Sequence, residues 1–248
     1  MTSATAGARR AWVRGRGFVT LGRRGRASAS IRLAGASAAL IAAPAYSSFL
    51  LGGWLLPPAE RGSAFISELE VSSRPYSWLF RLCDVVAGVA IIAAAVVLYR
   101  VLAGYRRAGA AVTAVAVLGM TSVVDGTTTM ACLPSVDPRC AAAEHNASGL
   151  VGQLIAVHTD SGVLGFLAAA AAAVLLGFLL IPTVPVAGRL SLIVGLLLAS
   201  SGLADVALLL RSADIADVER VRTVLTSVWL ASLPVVMLTA VDPPGDAA

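Results

Sequence analysis

Asp125 and His158 are the two residues of this chain whose type and setting best suit them to do chemistry. Each lies in a long apolar run, and an ionisable side chain inside a membrane-spanning helix costs at least a few kcal/mol, so it usually serves a function or a specific partner. Asp125 belongs to a polar stripe with spacings of three and four, which places its members on one helical face. The stripe comprises Thr121, Ser122, Asp125, Thr128 and Thr129. We predict that Asp125 and His158 form a catalytic acid–base pair or a ligand pair.

Five further polar residues extend this candidate site, and we predict them to be binding residues, with the two glutamates at its entrance. They are Ser67, Glu68, Glu70, Asp160 and Asp205. Asp160 is two residues from His158, so the two side chains point in different directions on a regular helix. Asp160 can also serve as an acid in the first turn, near the positive end of the helix dipole. Asp205 could equally form a structural hydrogen bond between helices or belong to the binding site.

Two pairs of residues are predicted to be structural. Arg81 and Asp84 are three apart in one apolar run, so they fit an internal ion pair. Cys132 and Cys140 are eight apart in a segment predicted to lie outside the cytoplasm, where thiols can oxidise, so we predict a disulfide between them. Cys83 is predicted to be a buried apolar residue.

Metal binding and serine catalysis are the two alternatives for the chemistry of the site. Zinc accepts imidazole and carboxylate ligands in a tetrahedral shell, which His145, His158, Asp125 and one further acid would supply. The sequence contains no H-x-x-x-H or H-E-x-x-H spacing, and neither histidine has a partner at a suitable depth for a bis-histidine haem, so we predict no cofactor, with zinc as the alternative. Ser67 and Ser161 are candidate nucleophiles, but no G-x-S-x-G elbow is present. Whether the protein is an enzyme therefore stays open.

The elements that position these residues follow from composition. Hydrophobic residues make up 58% of the 248 and charged residues 13%, against about a quarter charged in soluble domains. Each of six apolar runs reaches the roughly 20 residues that a helix needs to cross the hydrocarbon core. Only helices satisfy every backbone group in such a setting, so we predict an all-α bundle of six transmembrane helices. The predicted spans are 33–56, 76–100, 108–132, 153–181, 188–210 and 221–241, in a transmembrane domain 33–241.

The arginines predict how this bundle is oriented. All 19 basic residues are arginine: eight precede the first span, three stand between spans two and three, and one stands between spans four and five. By the positive-inside rule that side is cytoplasmic, so both termini are predicted to be inside. Of the 14 acids, only Asp242 and Asp246 fall on that side. At 1.5 Å per residue, the acids within spans lie on the order of 10 Å below the outer helix ends, so we predict one polar layer beneath outer loops 57–75, 133–152 and 211–220.

The basic segment 1–32 is predicted to be a flexible cytoplasmic tail, with a second short tail at 242–248. Its predicted partner is the anionic inner leaflet, at roughly 1 kcal/mol per arginine held near the surface. The alternative is that the tail only enforces orientation. Because the basic charge is concentrated at this membrane face, we predict no nucleic-acid partner. The composition, rich in alanine and with arginine as the only basic residue, is typical of a bacterial protein, so we predict a multi-pass protein of the bacterial plasma membrane.

The chain resembles a known bacterial family. Ile66-Ser67-Glu68-Leu69, followed by Pro75-Tyr76-Ser77-Trp78-Leu79-Phe80, resembles the six-span family called domain of unknown function nine-nine-eight. The resemblance covers about residues 33–240 and includes Cys132-Leu133-Pro134 with Asp137 and the histidine that opens span four, His158. The I-S-E motif is also remotely similar to the I-S-D loop of Frag/DRAM/Sfk-type membrane proteins, some of which act in lipid handling. The resemblance implies six spans and no assigned activity.

Three functions fit these observations. The first is a non-enzymatic component or scaffold of the cell envelope, in which the buried acids only join helices. The second is binding or processing of an outer-leaflet lipid or envelope precursor through the polar layer. The third is transport of a cation or small molecule, although no acid lies in the inner half of a span to complete a path. The sequence alone does not identify the substrate, the protein partners or the oligomeric state.

Overall fold

The computed structural model of the chain is all-α. The structure describes residues 27–57, 65–105, 107–128, 132–133, 135–140, 142, 149–209 and 216–240, without the side chains of 149–156, 206 and 209. Six long helices cross this part of the chain and no strand occurs in it. They are α1 (Ala29–Tyr46), α2 (Ser77–Val101), α3 (Ala108–Thr127), α4 (Gly149–Leu180), α5 (Pro185–Leu209) and α6 (Ala216–Thr239). All six are long and apolar enough to span a membrane, which confirms the predicted fold class. Residues 1–26 and 241–248, with most of both predicted tails, lie outside the described residues.

The first helix ends earlier than predicted. It stops at Tyr46 and not near residue 56, and a 3-10 turn (Ser48–Leu51) and a short helical turn (Gly52–Leu55) follow. Pro44 in its last turn has no backbone N–H to donate, and the Ser47 hydroxyl donates to the Ala43 carbonyl at 3.2 Å. The final carbonyls of the helix are therefore bonded locally and the chain leaves the helical path.

Helices α3 and α6 also have bounds that differ from the prediction. The Thr127 and Thr128 hydroxyls donate to the carbonyls of Val123 and Val124 at 2.7 and 2.8 Å, so α3 ends at Thr127 and not at 132. Asp125 consequently lies within the last turn and is shallower than expected. Helix α6 begins five residues earlier than predicted, at Ala216, with two acids in its first turn, where they favour the helix dipole.

The six helices form a closed ring. Each packs against the helix before and after it in the chain, and α1 packs against α6 to close the circuit. Glycines allow close approach: a Cβ on Gly88 of α2 would lie 2.5 Å from the Gly119 carbonyl of α3, and one on Gly165 of α4 would lie 2.5 Å from the Thr121 hydroxyl. Small residues at crossings are the usual means of helix packing in membranes, where apolar side chains gain nothing by leaving lipid.

The two ends of the ring differ in chemistry. We call the end where α1, α3 and α5 finish the acidic end, and the opposite end the arginine end. Trp229 of α6 is fully buried in the arginine-end half, where its indole N–H donates to the Ser191 hydroxyl at 2.8 Å. Beyond it, Arg32 donates from one Nη to the Met237 and Ala240 carbonyls, each at 2.9 Å. An arginine thus satisfies the carbonyls that end α6.

Candidate functional site

Asp125, Ser161 and His158 meet where α3 packs against α4 at the acidic end. The Ser161 hydroxyl hydrogen-bonds to Asp125 Oδ1 and to the His158 carbonyl, the latter at 2.8 Å. His158 Nδ1 lies 3.9 Å from Asp125 Oδ1, and it is buried with no hydrogen-bond partner. The structure therefore brings the predicted pair together, with Ser161 as a third member. The other described hydroxyls of the stripe on α3 mostly bond to their own helix: Thr121 and Ser122 both donate to the Leu118 carbonyl.

The order of these three side chains differs from that of a serine hydrolase. In the catalytic triad the histidine lies between serine and aspartate, so that it can take the serine proton. Here the serine bonds directly to Asp125, and the imidazole nitrogen is too far from Asp125 for a hydrogen bond. This arrangement suits binding of a ligand more than activation of Ser161.

Glu70 and Asp84 form a second polar pair. Glu70, in the 3-10 turn Ser67–Glu70 of the first loop, is buried and hydrogen-bonds through its side chain to Asp84 of α2. Two carboxyl groups can bond in this way only if they share a proton. Burial, followed by the charge and hydrogen bond of Asp84, raises the pKa of Glu70 well above its ordinary value. Glu70 Oε2 has no hydrogen-bond partner.

The predicted ion pair between Arg81 and Asp84 is wrong. Arg81 Nε donates to the Gly126 carbonyl on α3 at 3.2 Å, and no ion pair within the described residues joins it to Asp84. Gly126 permits this contact, since a Cβ there would lie 2.5 Å from the Arg81 carbonyl. Asp84 takes Glu70 as its partner because the first loop folds into the mouth of the ring.

Asp205 pairs with an arginine across the α5–α6 contact. Arg222 Nη1 donates to Asp205 Oδ2 at 2.5 Å, and its guanidinium lies 4.5 Å from the centroid of the Phe166 ring on α4. Arg222 thus connects three helices through one ion pair and one cation–π contact. Asp205 Oδ1 is buried and has no hydrogen-bond partner.

The first loop is fastened over the acidic end by its backbone and by Glu68. Glu68 is fully buried, and its two oxygens accept from the Ser135 N–H and hydroxyl at 2.8 and 2.6 Å. The Ile66 N–H donates to Glu219 Oε2 of α6 at 3.0 Å. Glu68 and Glu70 are therefore buried in the closure of the ring and do not stand at an open entrance, while Ser67 is half-buried beside them.

The second loop covers the first. Cys132 and Cys140 are joined by a disulfide, and Val71, which is fully buried, packs against both of them. Cys83 is a free thiol that is only partly buried.

Tyr46, at the end of α1, marks the centre of the polar layer. It lies within electrostatic range of Asp84, Asp125, Glu219 and Arg222, which come from three other helices. A polar layer is therefore present at this end, but its membership differs from the prediction, because it gains members and Asp160 lies outside it. The sequence interpretation missed Tyr46, Glu219 and Arg222. The spacing of three between Glu219 and Arg222, ahead of an apolar run, was the available signal for the last two.

Asp160 lies apart from this layer, on the outer surface of the ring. Asp160 is exposed, whereas His158, two residues earlier, is only 5% exposed. The two side chains therefore point in different directions, as their spacing predicted. Asp160 lines an open groove of about 480 Å³ between α3 and α4. The groove is lined by Val117, Met120, Thr121, Val124, Val157, Asp160, Ser161 and Leu164. It therefore has apolar walls and a few polar residues, one of which, Ser161, also bonds to Asp125.

The predicted zinc ligands are not assembled in the part of the chain that the structure describes. No group of three or more histidine, cysteine or acidic side chains there could hold a metal ion. His145, the other candidate histidine, lies outside the described residues.

Fold and site together define a polytopic helical membrane protein with a polar layer at one end of a six-helix ring. The chain matches the family described as protein of unknown function DUF998 over residues 39–236, and it belongs to that family. The family predicted from the first loop and the start of span two is thereby confirmed. No curated protein and no solved structure matches the chain.

Proposed function

We propose that this protein is a non-enzymatic component of the cell membrane that binds an amphiphile in the groove between α3 and α4. The single observation that carries the proposal is the groove itself, which has mainly apolar walls, an acid near one end and two hydroxyl residues among its lining. The amphiphile would be a lipid of the leaflet at the acidic end, which we predict to be the outer leaflet of a bacterial plasma membrane.

The direction of the groove supports a lipid ligand. Val157 and Asp160 lie toward the acidic end of α4, and Leu164 lies one turn deeper. On α3, Val124 lies toward the acidic end and Val117 lies deeper. A lipid bound along this line would place its head group beside Asp160 and its acyl chain against the deeper aliphatic residues. Polar head groups and acyl chains have the same order in the surrounding leaflet.

The geometry of the polar residues supports binding over hydrolysis. Ser161 donates its one proton to acceptors other than the imidazole, so His158 is not positioned to activate it. Ser67, the other candidate nucleophile, is half-buried in the 3-10 turn of the first loop, and no described histidine bonds to it. The remote similarity of this loop to the Frag/DRAM/Sfk-type proteins, some of which handle lipids, stays a prediction that agrees with this proposal.

Photo-crosslinking tests the proposal directly. The full chain is reconstituted with a phospholipid that carries a diazirine in its acyl chain, irradiated and mapped by mass spectrometry. We expect crosslinks to concentrate on residues 117–124 and 157–164. Leu164→Trp fills the groove and should remove most of them. Leu196→Trp is the matched control, because Leu196 of α5 is 57% exposed, Leu164 is 52% exposed, and Leu196 does not line the groove.

Two results would overturn the proposal. One is a wild-type crosslink yield that is no higher in the groove than on the exposed face of α5. The other is release of a hydrolysed lipid by the wild type that Ser161→Ala abolishes, because the site would then be catalytic.

A further inference from the structure

We infer that the lipid bound in the groove carries a primary ammonium group, which Asp160, Thr121 and Ser161 bind through their oxygen atoms. This inference rests on the proposed function and adds the chemical class of the head group. It follows from the hydrogen-bonding state of the groove's polar side chains and from the charge of Asp160.

The two hydroxyls of the groove have no proton left to donate. The Thr121 hydroxyl donates to the Leu118 carbonyl at 2.9 Å. The Ser161 hydroxyl donates to Asp125 or to the His158 carbonyl. A hydroxyl has one proton and two lone pairs, so each of these oxygens can offer only a lone pair to a ligand.

Asp160 adds a negative charge to these acceptors. It is exposed to the groove, and no described arginine lies within ion-pair distance of it. The described side chains of the groove therefore provide a carboxylate and two hydroxyl oxygens, and none of them offers a free donor. Among these three described side chains a phosphate, sulfate or carboxylate head group would meet only acceptors and a like charge. A group that donates several hydrogen bonds and carries positive charge matches all three oxygens, which describes a primary ammonium.

The depth of Asp160 fits the same ligand. Helix α4 has 32 residues, so it is about 48 Å long against about 30 Å of hydrocarbon, and Asp160 lies about 16 Å from its start at Gly149. Because the excess length extends into the head-group regions, Asp160 lies in the outer part of the hydrocarbon, where a carboxylate is less well hydrated than in bulk water. A charge pair at this depth is screened less than one in solution. The residues that follow inward, Leu164 and Val117, are apolar and suit an acyl chain.

A methylation series of lipids separates charge from hydrogen bonding. The same diazirine acyl chain is placed on phosphatidylethanolamine, on its N-methyl and N,N-dimethyl forms, on phosphatidylcholine and on phosphatidylglycerol. The first four head groups share one ammonium charge while the number of N–H donors falls from three to none. We expect the groove crosslink yield to fall stepwise along this series, with about a fivefold difference between its ends, and to be lowest with phosphatidylglycerol. That ratio corresponds to about 1 kcal/mol, the usual net contribution of one hydrogen bond.

Asp160→Asn should bring the yields for phosphatidylethanolamine and phosphatidylcholine to within about twofold of each other. Asp217→Asn is the matched control: its side chain is 96% exposed at the same end of the ring and does not line the groove, so the fivefold preference should remain. Thr121→Val removes one hydrogen-bond acceptor without changing the shape of the side chain. It should lower the preference for phosphatidylethanolamine over phosphatidylcholine to a value between those of the wild type and Asp160→Asn.

The outcomes distinguish this inference from the proposed function. Groove crosslinks of equal yield for all head groups, or a preference for phosphatidylglycerol, overturn the ammonium inference and leave the lipid groove intact. Equal yields for phosphatidylethanolamine and phosphatidylcholine, with both above phosphatidylglycerol, overturn the hydrogen-bonding part. Loss of crosslinks from the groove for every lipid overturns the proposed function itself.

Discussion

At the arginine end the interior of the ring is filled by apolar side chains, whereas at the acidic end it is filled by ionisable ones. Trp229, Met237 and Leu98 are fully buried in the arginine-end half. At the acidic end the corresponding space contains Asp84, Asp125 and other charged groups around Tyr46. The same six helices enclose both regions, so the difference lies in the side chains and not in the helix framework.

The comparison shows which half has capacity for binding. In the arginine-end half no described side chain has a buried polar atom without a hydrogen-bond partner, and the Trp229 indole, for example, donates to Ser191. Among the described residues of the acidic end, the buried atoms Glu70 Oε2, His158 Nδ1 and Asp205 Oδ1 have no hydrogen-bond partner. Buried polar groups are normally satisfied, and exceptions are associated with water, ligands or function. Packing therefore stabilises one half, while the other retains unused hydrogen-bonding capacity.

The largest effect should come from the arginine-end half. Trp229→Ala removes a fully buried indole and leaves a cavity, so we expect a loss of about 3–5 kcal/mol in the free energy of unfolding. Trp229→Phe keeps most of the volume and loses the bond to Ser191, so it should cost about 1 kcal/mol from the hydrogen bond, with any misfit of the smaller ring in addition. Unfolding by sodium dodecyl sulfate from mixed micelles measures both.

If Trp229→Ala does not accumulate in the membrane, Trp229→Phe still tests whether the arginine-end half depends on packing. Its loss of unfolding free energy is compared with that of a substitution on the exposed face, such as Val186→Ala. A loss no larger than that of Val186→Ala would contradict the dependence on packing. Val186 is 78% exposed and is expected to change stability little.

Removal of the buried ion pair at the acidic end should have the next largest effect. Asp205→Asn leaves Arg222 without its carboxylate partner, and the two side chains are 14% and 21% exposed. Complete burial would make this cost several kcal/mol. Partial solvent access and the remaining contact with Phe166 reduce our expectation to about 1–3 kcal/mol. The same micelle unfolding assay applies, with Asp217→Asn as the control, because the Asp217–Arg220 pair is largely exposed and should contribute far less.

The fold and part of the site could be predicted from the sequence because each rests on a local signal. A run of about 20 apolar residues indicates a span wherever it occurs. Asp125 lies on a polar stripe of one apolar run, and His158 lies in the next apolar run. These two observations were sufficient to predict that Asp125 and His158 meet. The opposite directions of His158 and Asp160 followed from helical geometry alone.

The remaining contacts depend on how loops and helix ends fold, which periodicity does not encode. Glu70 lies in a loop that turns into the mouth of the ring, so its contact with Asp84 is set by tertiary structure. The spacing of three between Arg81 and Asp84 favoured a pair that does not form, because the Gly126 carbonyl is a nearer partner for Arg81. Glu219 was placed in a loop because the predicted span began at 221, five residues after the true start of α6.

The smallest effect should be a pH dependence confined to the first loop. Burial and Asp84 raise the pKa of Glu70 above its ordinary 4.5, so folding favours the protonated form. This stabilisation is complete below pH 4.5 and is lost as the pH rises through the raised pKa. Hydrogen exchange of residues 65–71, corrected for the intrinsic rate, should therefore become faster over that range while the global unfolding midpoint changes little. Glu70→Gln should flatten the dependence because it cannot ionise.

Two variants test whether the pair with Asp84 causes this pH dependence. Asp84→Asn removes the charge that helps to raise the pKa of Glu70, so the midpoint of the loop opening should move to lower pH. Asp217→Asn, at the same end but with a 96% exposed side chain paired to Arg220, should leave the midpoint unchanged. A midpoint that Asp84→Asn does not move would mean that burial alone sets the behaviour of Glu70. Since these substitutions are all at the acidic end, the arginine-end half should be unaffected in every variant. Protection of the α6 segment around Trp229 reports this in the same experiment.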